Sequence, residues 1–349
     1  MSARGLVLKV DLSAILESYK YLCALGKDAT TAAVVKADAY GLGADIIAPL
    51  LYQHGCRNFF VARIGEAIRL APLLKGARIY ILDGVSSTDD LEHCRANDLI
   101  PILNSRAQIE TYKKTPCPVA LHIDTGMNRL GIRPDEIDFI NLNELDLKLL
   151  MSHAACADDD DDEMTGVQFS KFQKIRKQFP DIPASFCNSA ATIKYPEMHC
   201  DLTRPGIALY GGIFDMKPAV SLSAPIRQIR SVTKGDTIGY GATYTADQDM
   251  TVATVGIGYA DGLFRSLSNT GKVFVNNHAC PILGRVSMDL LSIDISKIDK
   301  KDKLDSEVEI LGKNQSISEL AQDAETISYE VITTLGKTIE KCYLNSTSI

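Results

Sequence analysis

One lysine in the sequence stands where an amine could do chemistry. In the stretch AVVKADAYGLG, residues 33–43, Lys36 follows three apolar residues and precedes small residues and two glycines. A lysine amine forms Schiff bases with carbonyl compounds, and burial or neighbouring cations depress its pKa and make it reactive. The apolar run predicts that the base of the Lys36 side chain is buried. A lysine at a strand end is more often a plain surface charge, so a catalytic interpretation needs other groups beside it.

The elements that must position this lysine follow a regular pattern. The first 212 residues alternate short β-branched runs with amphipathic helical stretches. The candidate strands are TAAVV (31–35), NFFVAR (58–63), ARIYIL (77–82), IPIL (100–103), VALHID (119–124), LKLLMSH (147–153), ASFCN (184–188) and IALYG (207–211). Eight strands with intervening helices predict an α/β fold, a parallel (β/α)8 TIM-like barrel, with an open doubly wound sheet as the alternative. The barrel is favoured because eight units is the number that closes.

The character of the sequence changes after residue 217. Strand-like runs divided by Gly, Asn and Asp follow, and helical periodicity returns only in SISELAQDAETISYEVITTLGK. Near the start, LVLKV is typical of an extra strand, and Asp11 is expected to cap the helix after it. We therefore expect a barrel over residues 8–217 and a mostly β C-terminal domain made of residues 1–7 and 218–349.

In a barrel of this kind the working residues lie at the C-terminal ends of the strands. Lys36 and Tyr40 follow the first candidate strand, Arg129 follows the fifth, and His153 ends the sixth. The other candidates are Asn188 and Ser189 at the end of the seventh strand, and Arg204, Gly206 and Ile207 in TRPGIALYG, just before the eighth. Each has a plain structural explanation when it is taken alone, but their convergence at one mouth favours a binding site.

These groups match the requirements of pyridoxal phosphate. Its aldehyde needs a lysine such as Lys36, and nearby arginines would depress the pKa of that amine. Its phosphate needs hydroxyl and N–H donors, and these barrels usually bind phosphate after strands seven and eight. Ser189, Gly206 and Ile207 fall in that region, and Tyr40 could add a phenol donor.

The composition argues against several classes of protein. The 349 residues carry a net charge of -7, which argues against a nucleic-acid partner. No segment approaches the roughly 18 apolar residues of a membrane span. Nine cysteines without a CxxC pair, and no visible signal peptide, predict a cytoplasmic protein with reduced thiols. The acidic run at residues 158–163 is expected to be a solvated loop, and no metal site is predicted.

Six stretches of the chain together resemble alanine racemases. In order, they are AVVKADAYGLG, HIDTGMNRLGI, LTRPGIALYGG, GYGATYTA, VGIGYADG and GRVSMDLLSIDI. The resemblance implies an isomerase with a pyridoxal-phosphate barrel and a β domain, working as a homodimer whose active sites are shared between subunits. It also implies interconversion of L-alanine and D-alanine, with D-alanine supplied for cell-wall peptidoglycan.

The resemblance assigns roles to individual residues. Lys36 is implied to bind the cofactor covalently and to act as one base, and Tyr259 from the neighbouring subunit is implied to act as the other on the opposite face. A tyrosine has a reference pKa of about 10 and is a poor base at neutral pH, so its phenolate needs a stabilising partner. His153 is implied to be that partner, linked in turn to Arg204, which is implied to face the pyridine nitrogen.

The remaining implied contacts concern carboxylate and phosphate groups. Arg129 matches a residue that contacts the cofactor phenol and the substrate carboxylate, and Met288 matches a segment that holds that carboxylate from the neighbouring subunit. The matches to phosphate contacts are Tyr40, Ser189, Gly206 and Ile207. Two positions depart from the family pattern. His122 stands where many members have a carboxylated lysine that holds the arginine, and Lys337 aligns loosely with a phosphate-binding tyrosine.

Other functions remain open at this point. A racemase of broad specificity, acting on serine or lysine, differs only in side-pocket residues. A barrel-type pyridoxal-phosphate decarboxylase of basic amino acids shares the architecture, but it would favour an acidic residue at the ring nitrogen in place of Arg204. A non-catalytic cofactor-binding barrel would need neither the second domain nor Tyr259.

Overall fold

The computed structural model describes residues 5–26, 28–139, 144–159, 163–214, 216–299 and 307–344. These residues fall into two compact units. The barrel unit comprises Leu16–Ala39 and Gly43–Leu209, and the β unit comprises the described residues of 5–15, 40–42 and 210–344. Of the acidic run, Asp160, Asp161 and Asp162 lie outside the described residues, so the expectation of a solvated loop there stays a prediction.

The first described elements are strand β1 (Val7–Asp11) and the helix Leu12–Leu25. The carboxylate of Asp11 accepts hydrogen bonds from the backbone N–H groups of Ser13 and Ala14 at 2.9 and 3.0 Å. These are two of the donors that the start of a helix leaves without a partner. The expected capping role of Asp11 is therefore confirmed.

Eight parallel strand positions form the ring of the barrel unit. The strands are β2 (Thr30–Thr31), β3 (Ala33–Val34), β4 (Asn58–Val61), β5 (Arg78–Ile81), β6 (Leu99–Leu103), β7 (Val119–His122), β8 (Leu147–Met151), β9 (Ala184–Ser185) and β10 (Leu202–Thr203). Strands β3 to β9 make a seven-stranded sheet in chain order. Strand β10 pairs with β2. Because β2 and β3 follow each other in the chain, they count together as the first position of the ring. The side chains of the ring are almost all buried, as in a sheet that is covered on both faces.

Backbone hydrogen bonds close this ring. On one side, the N–H of Arg204 donates to the carbonyl of Cys187 at 2.9 Å. On the other, the N–H groups of Ala32 and Val34 donate to the carbonyls of Thr203 and Pro205 at 2.9 and 3.0 Å. The expected (β/α)8 topology is confirmed, and the open doubly wound sheet is excluded.

The expected eighth strand is wrong. The stretch IALYG was expected to be a strand, but Ile207–Tyr210 forms a short 3-10 turn, and the eighth strand is Leu202–Thr203. The residues of the turn are fully buried, so an apolar run of this length predicted burial without fixing the backbone conformation. Arg204 therefore follows the eighth strand directly, at its C-terminal end.

Helices alternate with the strands around the barrel. They are Ala44–Gln53, Ile64–Leu70, Thr88–Ala96, Arg106–Tyr112, Met164–Arg176 and Ser189–Lys194. Serines begin two of them: Ser87 Oγ accepts from the N–H of Asp90 at 3.1 Å, and Ser105 Oγ accepts from the N–H of Gln108 at 3.2 Å.

The β unit is built from one eight-stranded sheet. Besides β1, the strands of this unit are β11 (Val220–Val232), β12 (Thr237–Ile238), β13 (Tyr244–Thr245), β14 (Met250–Val255), β15 (Lys272–Val275), β16 (His278–Leu283), β17 (Leu291–Asp294), β18 (Glu307–Leu311) and β19 (Lys341–Leu344). Its two helices are Ile317–Asp323 and Ser328–Thr338. The strand order is β14-β17-β16-β15-β18-β11-β1-β19, and β14 also pairs with β11. Six strands therefore close on themselves. β1 pairs with β11 outside this closed set, and β19 pairs with β1. β12 and β13 form a separate hairpin.

The sheet of the β unit is antiparallel except for the β1–β19 pair.

All nine cysteines of the chain are free. Among the described residues, no helix has both the length and the apolar character needed to cross a membrane.

Candidate active site

The segment after Lys36 adopts a left-handed turn. The N–H of Val35 donates to the carbonyl of Phe60 at 2.9 Å, so the first strand position runs to the lysine itself. The next three residues, Ala37, Asp38 and Ala39, have φ values of 53°, 59° and 53°. L-residues with side chains avoid this region at a cost of about 1–2 kcal/mol each. The turn therefore sets the direction of Lys36 with a backbone that local preferences alone would not select.

Lys36 is half-buried, and its pKa is lowered from the ordinary value of a lysine. The largest cause is burial, and the nearby Arg129 guanidinium adds to it, whereas Asp83 and Glu66 act in the opposite direction. A lower pKa leaves more of the amine unprotonated and nucleophilic at neutral pH. In the barrel unit, Lys36 is therefore half-buried and lies near a cation, as the sequence predicted.

Arg204 lies inside the barrel, with 4% of its surface exposed. Its guanidinium donates to the carbonyls of Ser152 and Phe186 at 2.6 and 3.3 Å and to the hydroxyl of Ser185. Burial lowers its pKa to about 10, so it stays charged at neutral pH. None of the ion pairs within the described part of the chain includes this arginine.

Arg204 also fixes the protonation of His153, which follows β8. Its Nη2 lies 3.4 Å from His153 Nδ1. Since a guanidinium only donates, Nδ1 is the acceptor and the ring proton resides on Nε2. Burial, followed by Arg204 and Arg129, holds the pKa of His153 well below its usual value. The imidazole is therefore neutral and can donate from Nε2.

The loop that carries Arg129 is tied to the barrel by two residues at its base. The N–H of Gly131 donates to the carbonyl of Asn104 at 3.2 Å, and that of Ile132 donates to the carbonyl of His122 at 2.7 Å. Gly131 has a φ of 113°, and a Cβ there would lie 2.7 Å from the backbone nitrogen of Asp124. A side chain at residue 131 would therefore open the loop.

His122 is held by the side chain of Asn104. The amide nitrogen of Asn104 donates to the carbonyls of Leu82 and Ile102, both at 2.9 Å, so its oxygen faces His122 Nδ1 at 2.8 Å and accepts from it. Burial lowers the pKa of His122 to about 4, with Arg204 as the next cause. His122 is thus a neutral imidazole, and the backbone carbonyls of Asn104 and His122 hold the Arg129 loop.

Ser189 gathers backbone donors after the seventh and eighth strands. Its hydroxyl oxygen, buried in the barrel, accepts from the N–H of Gly206 at 2.8 Å and from the N–H of Ala208 at 3.2 Å. Asn188, just before it, caps the helix Ser189–Lys194 by accepting from the N–H of Ala191 at 3.0 Å. The structure thus brings together two of the predicted phosphate contacts, Ser189 and Gly206, with Ile207 next to them in the chain.

Three predicted site residues belong to the β unit. Tyr40 is buried, and its ring centroid lies 5.0 Å from that of Tyr210 and 6.1 Å from that of Tyr329. Burial raises the pKa of Tyr40. Its phenol therefore stays protonated and is a hydrogen-bond donor.

Tyr259 and Met288 are neighbours in the β unit. The N–H of Tyr259 donates to the carbonyl of Ser287 at 3.1 Å, and the N–H of Ala260 donates to the carbonyl of Met288 at 2.9 Å. A Cβ on Gly258 would lie 2.3 Å from the Met288 carbonyl oxygen, so only glycine permits this approach. Both side chains are exposed, Tyr259 by 44% and Met288 by 54%.

Family models cover almost all of this chain. Residues 10–213 match the model described as "Alanine racemase, N-terminal domain", and residues 219–343 match "Alanine racemase, C-terminal domain". The chain belongs to the alanine racemase family. The alanine racemase of Brucella abortus is 38% identical over 98% of this chain and 94% of its own length. A catabolic alanine racemase of Agrobacterium fabrum is 40% identical over 97% of this chain and 92% of its own length.

Solved alanine racemases have the same fold. The enzyme of Bartonella henselae, which carries covalently bound pyridoxal phosphate, superposes with a TM-score of 0.92 at 35% identity, covering 97% of this chain and 99% of its own. The biosynthetic alanine racemase of Pseudomonas aeruginosa also gives a TM-score of 0.92, at 32% identity, covering 98% and 100%. The family resemblance, the isomerase activity class and the combination of a TIM-like barrel with a β domain are thereby confirmed.

The alanine racemase family depends on pyridoxal phosphate, and the residues of the barrel unit fit this cofactor. Lys36 has the lowered pKa that a covalent bond to an aldehyde needs. The Ser189 hydroxyl oxygen accepts from two backbone N–H groups, so its own proton can be donated to a phosphate. Arg204 supplies a buried cation with its own hydrogen bonds satisfied by Ser152 and Phe186.

Several residues that build this alanine racemase site were not among the sequence candidates. They are Glu66, Asn104, Ser152, Gln168 and Ser185. Gln168, for example, is fully buried, donates to the carbonyl of His153 at 3.0 Å and accepts from the N–H of Ala155 at 2.9 Å. A single sequence marks such residues weakly: Gln168 and Glu66 look like ordinary polar positions of amphipathic helices.

Proposed function

We propose that this protein interconverts L-alanine and D-alanine. The observation that carries the proposal is the buried Arg204 guanidinium next to neutral His153, within the electrostatic reach of Lys36. Pyridoxal phosphate, when bound, withdraws electrons from the α-carbon and makes its proton acidic. Arg204 would hold the ring nitrogen through a guanidinium that keeps its own protons. It would thereby weaken the electron withdrawal and favour plain proton exchange over decarboxylation or transamination.

Lys36 and Tyr259 are proposed as the two bases. Racemisation removes a proton from one face of the α-carbon and returns one to the other, and two groups on opposite faces do this directly. Lys36 is suited to the role by its lowered pKa. Tyr259 needs a partner for its phenolate, and the Nε2 proton of neutral His153 is a donor that could serve.

The site is proposed to be shared between the subunits of a homodimer. Tyr259 and Met288 form an exposed, largely apolar pair on the β unit, and such surfaces favour contact with another protein. In this arrangement Tyr259 and Met288 of one subunit would complete the barrel mouth of the other. Met288 and Arg129 would then hold the substrate carboxylate, and Tyr40, Ser189, Gly206 and Ile207 the cofactor phosphate.

The protein is proposed to work in the cytoplasm and to supply D-alanine for peptidoglycan. Nine free cysteines fit a reducing compartment. A second role is favoured by the Agrobacterium fabrum relative, whose name marks it as catabolic. A deletion strain that needs D-alanine to grow supports the first role, and a strain that fails only when D-alanine is the carbon source supports the second.

Covalent trapping with rates from a panel of amino acids tests the activity. Borohydride should fix pyridoxal phosphate to Lys36, and Lys36→Ala should lose that adduct and the racemase activity. Alanine should be racemised faster than serine or lysine. An adduct that persists on another lysine contradicts the site, and preferred release of CO2 contradicts the reaction.

Exchange of the α-proton in deuterated water tests the two roles separately. Tyr259→Phe should impair exchange from L-alanine far more than exchange from D-alanine, because only one face loses its base. Equal impairment from both isomers would contradict the two-base assignment.

A further inference from the structure

Glu66 binds backbone N–H groups of the Lys36 turn and of the segment after β4. Its Oε1 accepts from the N–H of Ala37 at 2.6 Å and, at a longer 3.4 Å, from that of Asp38. Its Oε2 accepts from the N–H groups of Ala62 and Arg63 at 2.9 and 3.0 Å. One half-buried carboxylate thus connects the residues after the first strand position with the residues after β4.

The turn that Glu66 holds is strained. Ala37, Asp38 and Ala39 lie in the left-handed region, and strained backbone of this kind persists only where its surroundings hold it. A second set of contacts fixes Asp38, whose Oδ1 accepts from Arg69 at 2.8 Å and from the N–H of Ala44 at 2.9 Å. Of the side chains in these contacts, Glu66 is the one that reaches the peptide group next to Lys36.

Glu66 also belongs to the electrostatic surroundings of the amine. Burial and Arg129 lower the pKa of Lys36, and Asp83 and Glu66 raise it. His153, another titratable group that interacts with Lys36, is held neutral by its own environment. Glu66 is therefore linked to Lys36 in two ways, through the backbone of the turn and through its charge.

We propose that Glu66 is a positioning residue for Lys36, which directs the lysine side chain by holding the left-handed turn and balances the positive charge around the amine. The proposal deepens the proposed function, and its catalytic part rests on that function. Glu66 touches neither substrate nor cofactor in this role. It acts through Ala37 and through the electric field at Lys36.

Two substitutions separate the geometry from the charge. Glu66→Gln removes the charge. In either orientation of its amide, the NH2 group faces one of the two pairs of backbone N–H groups, so that a donor lies against donors. Glu66→Asp keeps the charge but is shorter by one methylene. Asp90→Asn is the matched control, because Asp90 accepts from the N–H groups of Ser86 and Ser87 at 2.8 and 3.1 Å at the start of another barrel helix.

The experiment measures acylation of Lys36 by acetic anhydride as a function of pH. The full-length protein is freed of cofactor, and Lys36 is followed by mass spectrometry, with kcat and KM measured on the enzyme with cofactor bound. Glu66→Gln should move the midpoint of acylation to lower pH and reduce kcat by about 10²-fold with a smaller change in KM. Glu66→Asp should keep the midpoint and reduce kcat. Asp90→Asn should lower the Tm and leave both readouts as in the wild type.

An unchanged or higher acylation midpoint in Glu66→Gln overturns the proposal, and so does a wild-type kcat in Glu66→Asp. The second variant also decides the matter if Glu66→Gln does not fold. Failure of the proposed function gives a different result: the wild-type protein would not racemise alanine, yet the acylation midpoint of Lys36 would still respond to Glu66→Gln.

Discussion

Two histidines of the barrel unit stay neutral because they are buried and lie near the Arg204 guanidinium. Burial is the largest cause of the lowered pKa of His122 and of His153, and Arg204 comes next for both. A protonated imidazole there would be a buried charge beside a buried guanidinium, and its solvation would be lost. The site therefore holds its positive charge on Arg204, and its histidines act as neutral hydrogen-bonding groups.

The acid sensitivity of the fold should depend on His122. Its pKa of about 4 in the folded state lies below the reference value of 6.5, so the unfolded chain binds the proton more tightly. The free energy of unfolding should therefore fall as the pH drops from 6.5 towards 4, by up to about 3 kcal/mol for this residue. His122→Gln should reduce that fall in urea unfolding measured across the same pH range, and His153, whose pKa is also lowered, should account for part of what remains.

The exposed His278 provides the control for this measurement. His278→Gln removes an exposed histidine from the β unit and should leave the acid limb of the stability curve as in the wild type. A His122→Gln curve with the wild-type slope would show that other groups carry the acid sensitivity.

Single residues were predictable where chemistry and strand position agreed. Lys36 and His153 each carry a reactive group at the C-terminal end of a predicted strand, and the rule for barrels selects them. Arg204 was expected before the eighth strand, and the structure places it directly after that strand. Asn104 and Ser185 were not predictable, because an amide or a hydroxyl gives no sign of the partner it will meet. Asn104 acts on His122, 18 residues along the chain, and that separation leaves no local pattern.

Among the elements, the helix Ser328–Thr338 contains a glycine that lies against another glycine. A Cβ on Gly336 would lie 2.7 Å from the carbonyl oxygen of Gly41, and a Cβ on Gly41 would lie 2.9 Å from the carbonyl carbon of Gly336. Backbone atoms cannot move aside as the end of a flexible side chain can. The close approach of these two segments within the β unit therefore requires glycine on both sides.

Gly336→Ala should destabilise the protein, although alanine is the better helix former. Its control is Gly166→Ala in the helix Met164–Arg176, where a Cβ meets nothing within 4 Å. Gly166→Ala should raise the free energy of unfolding by about 0.5–1 kcal/mol, and Gly336→Ala should lower it. Thermal and urea unfolding of the two variants measure the contrast, and a stabilised Gly336→Ala protein would contradict the close contact.

Elements were predictable to the extent that local pattern decides them. Long amphipathic helices and apolar strands such as Asn58–Val61 were recognised, because burial and periodicity point the same way. The strand Leu202–Thr203 has two residues, too few for any periodicity, and the buried IALYG stretch was taken for it. The left-handed turn after Lys36 is unpredictable for another reason: Ala-Asp-Ala has no preference for that conformation, which long-range contacts such as those of Glu66 hold.

At the scale of the whole molecule, the proposed bases lie more than 200 residues apart in the sequence and in different units. An arrangement in which each subunit lends Tyr259 to another makes the dimer the smallest active species. Activity should then depend on protein concentration wherever the dimer dissociates.

Mixing two inactive variants tests this arrangement. Lys36→Ala and Tyr259→Phe proteins, each impaired alone, should regain activity when their subunits exchange, because one site of each mixed dimer combines an intact Lys36 with an intact Tyr259. Each variant subjected to the same exchange with itself is the control. A mixture that stays as inactive as its components would place both bases in one subunit.

Five of the nine cysteines are buried, and burial makes a thiol less reactive. Burial raises the pKa of Cys56 to about 11 and that of Cys94 to about 12, and the thiolate is the form that oxidants and alkylating agents attack. Cys342, on the edge strand β19, is exposed. The other eight cysteines are buried or half-buried, so air or a maleimide should modify Cys342 first on the folded protein.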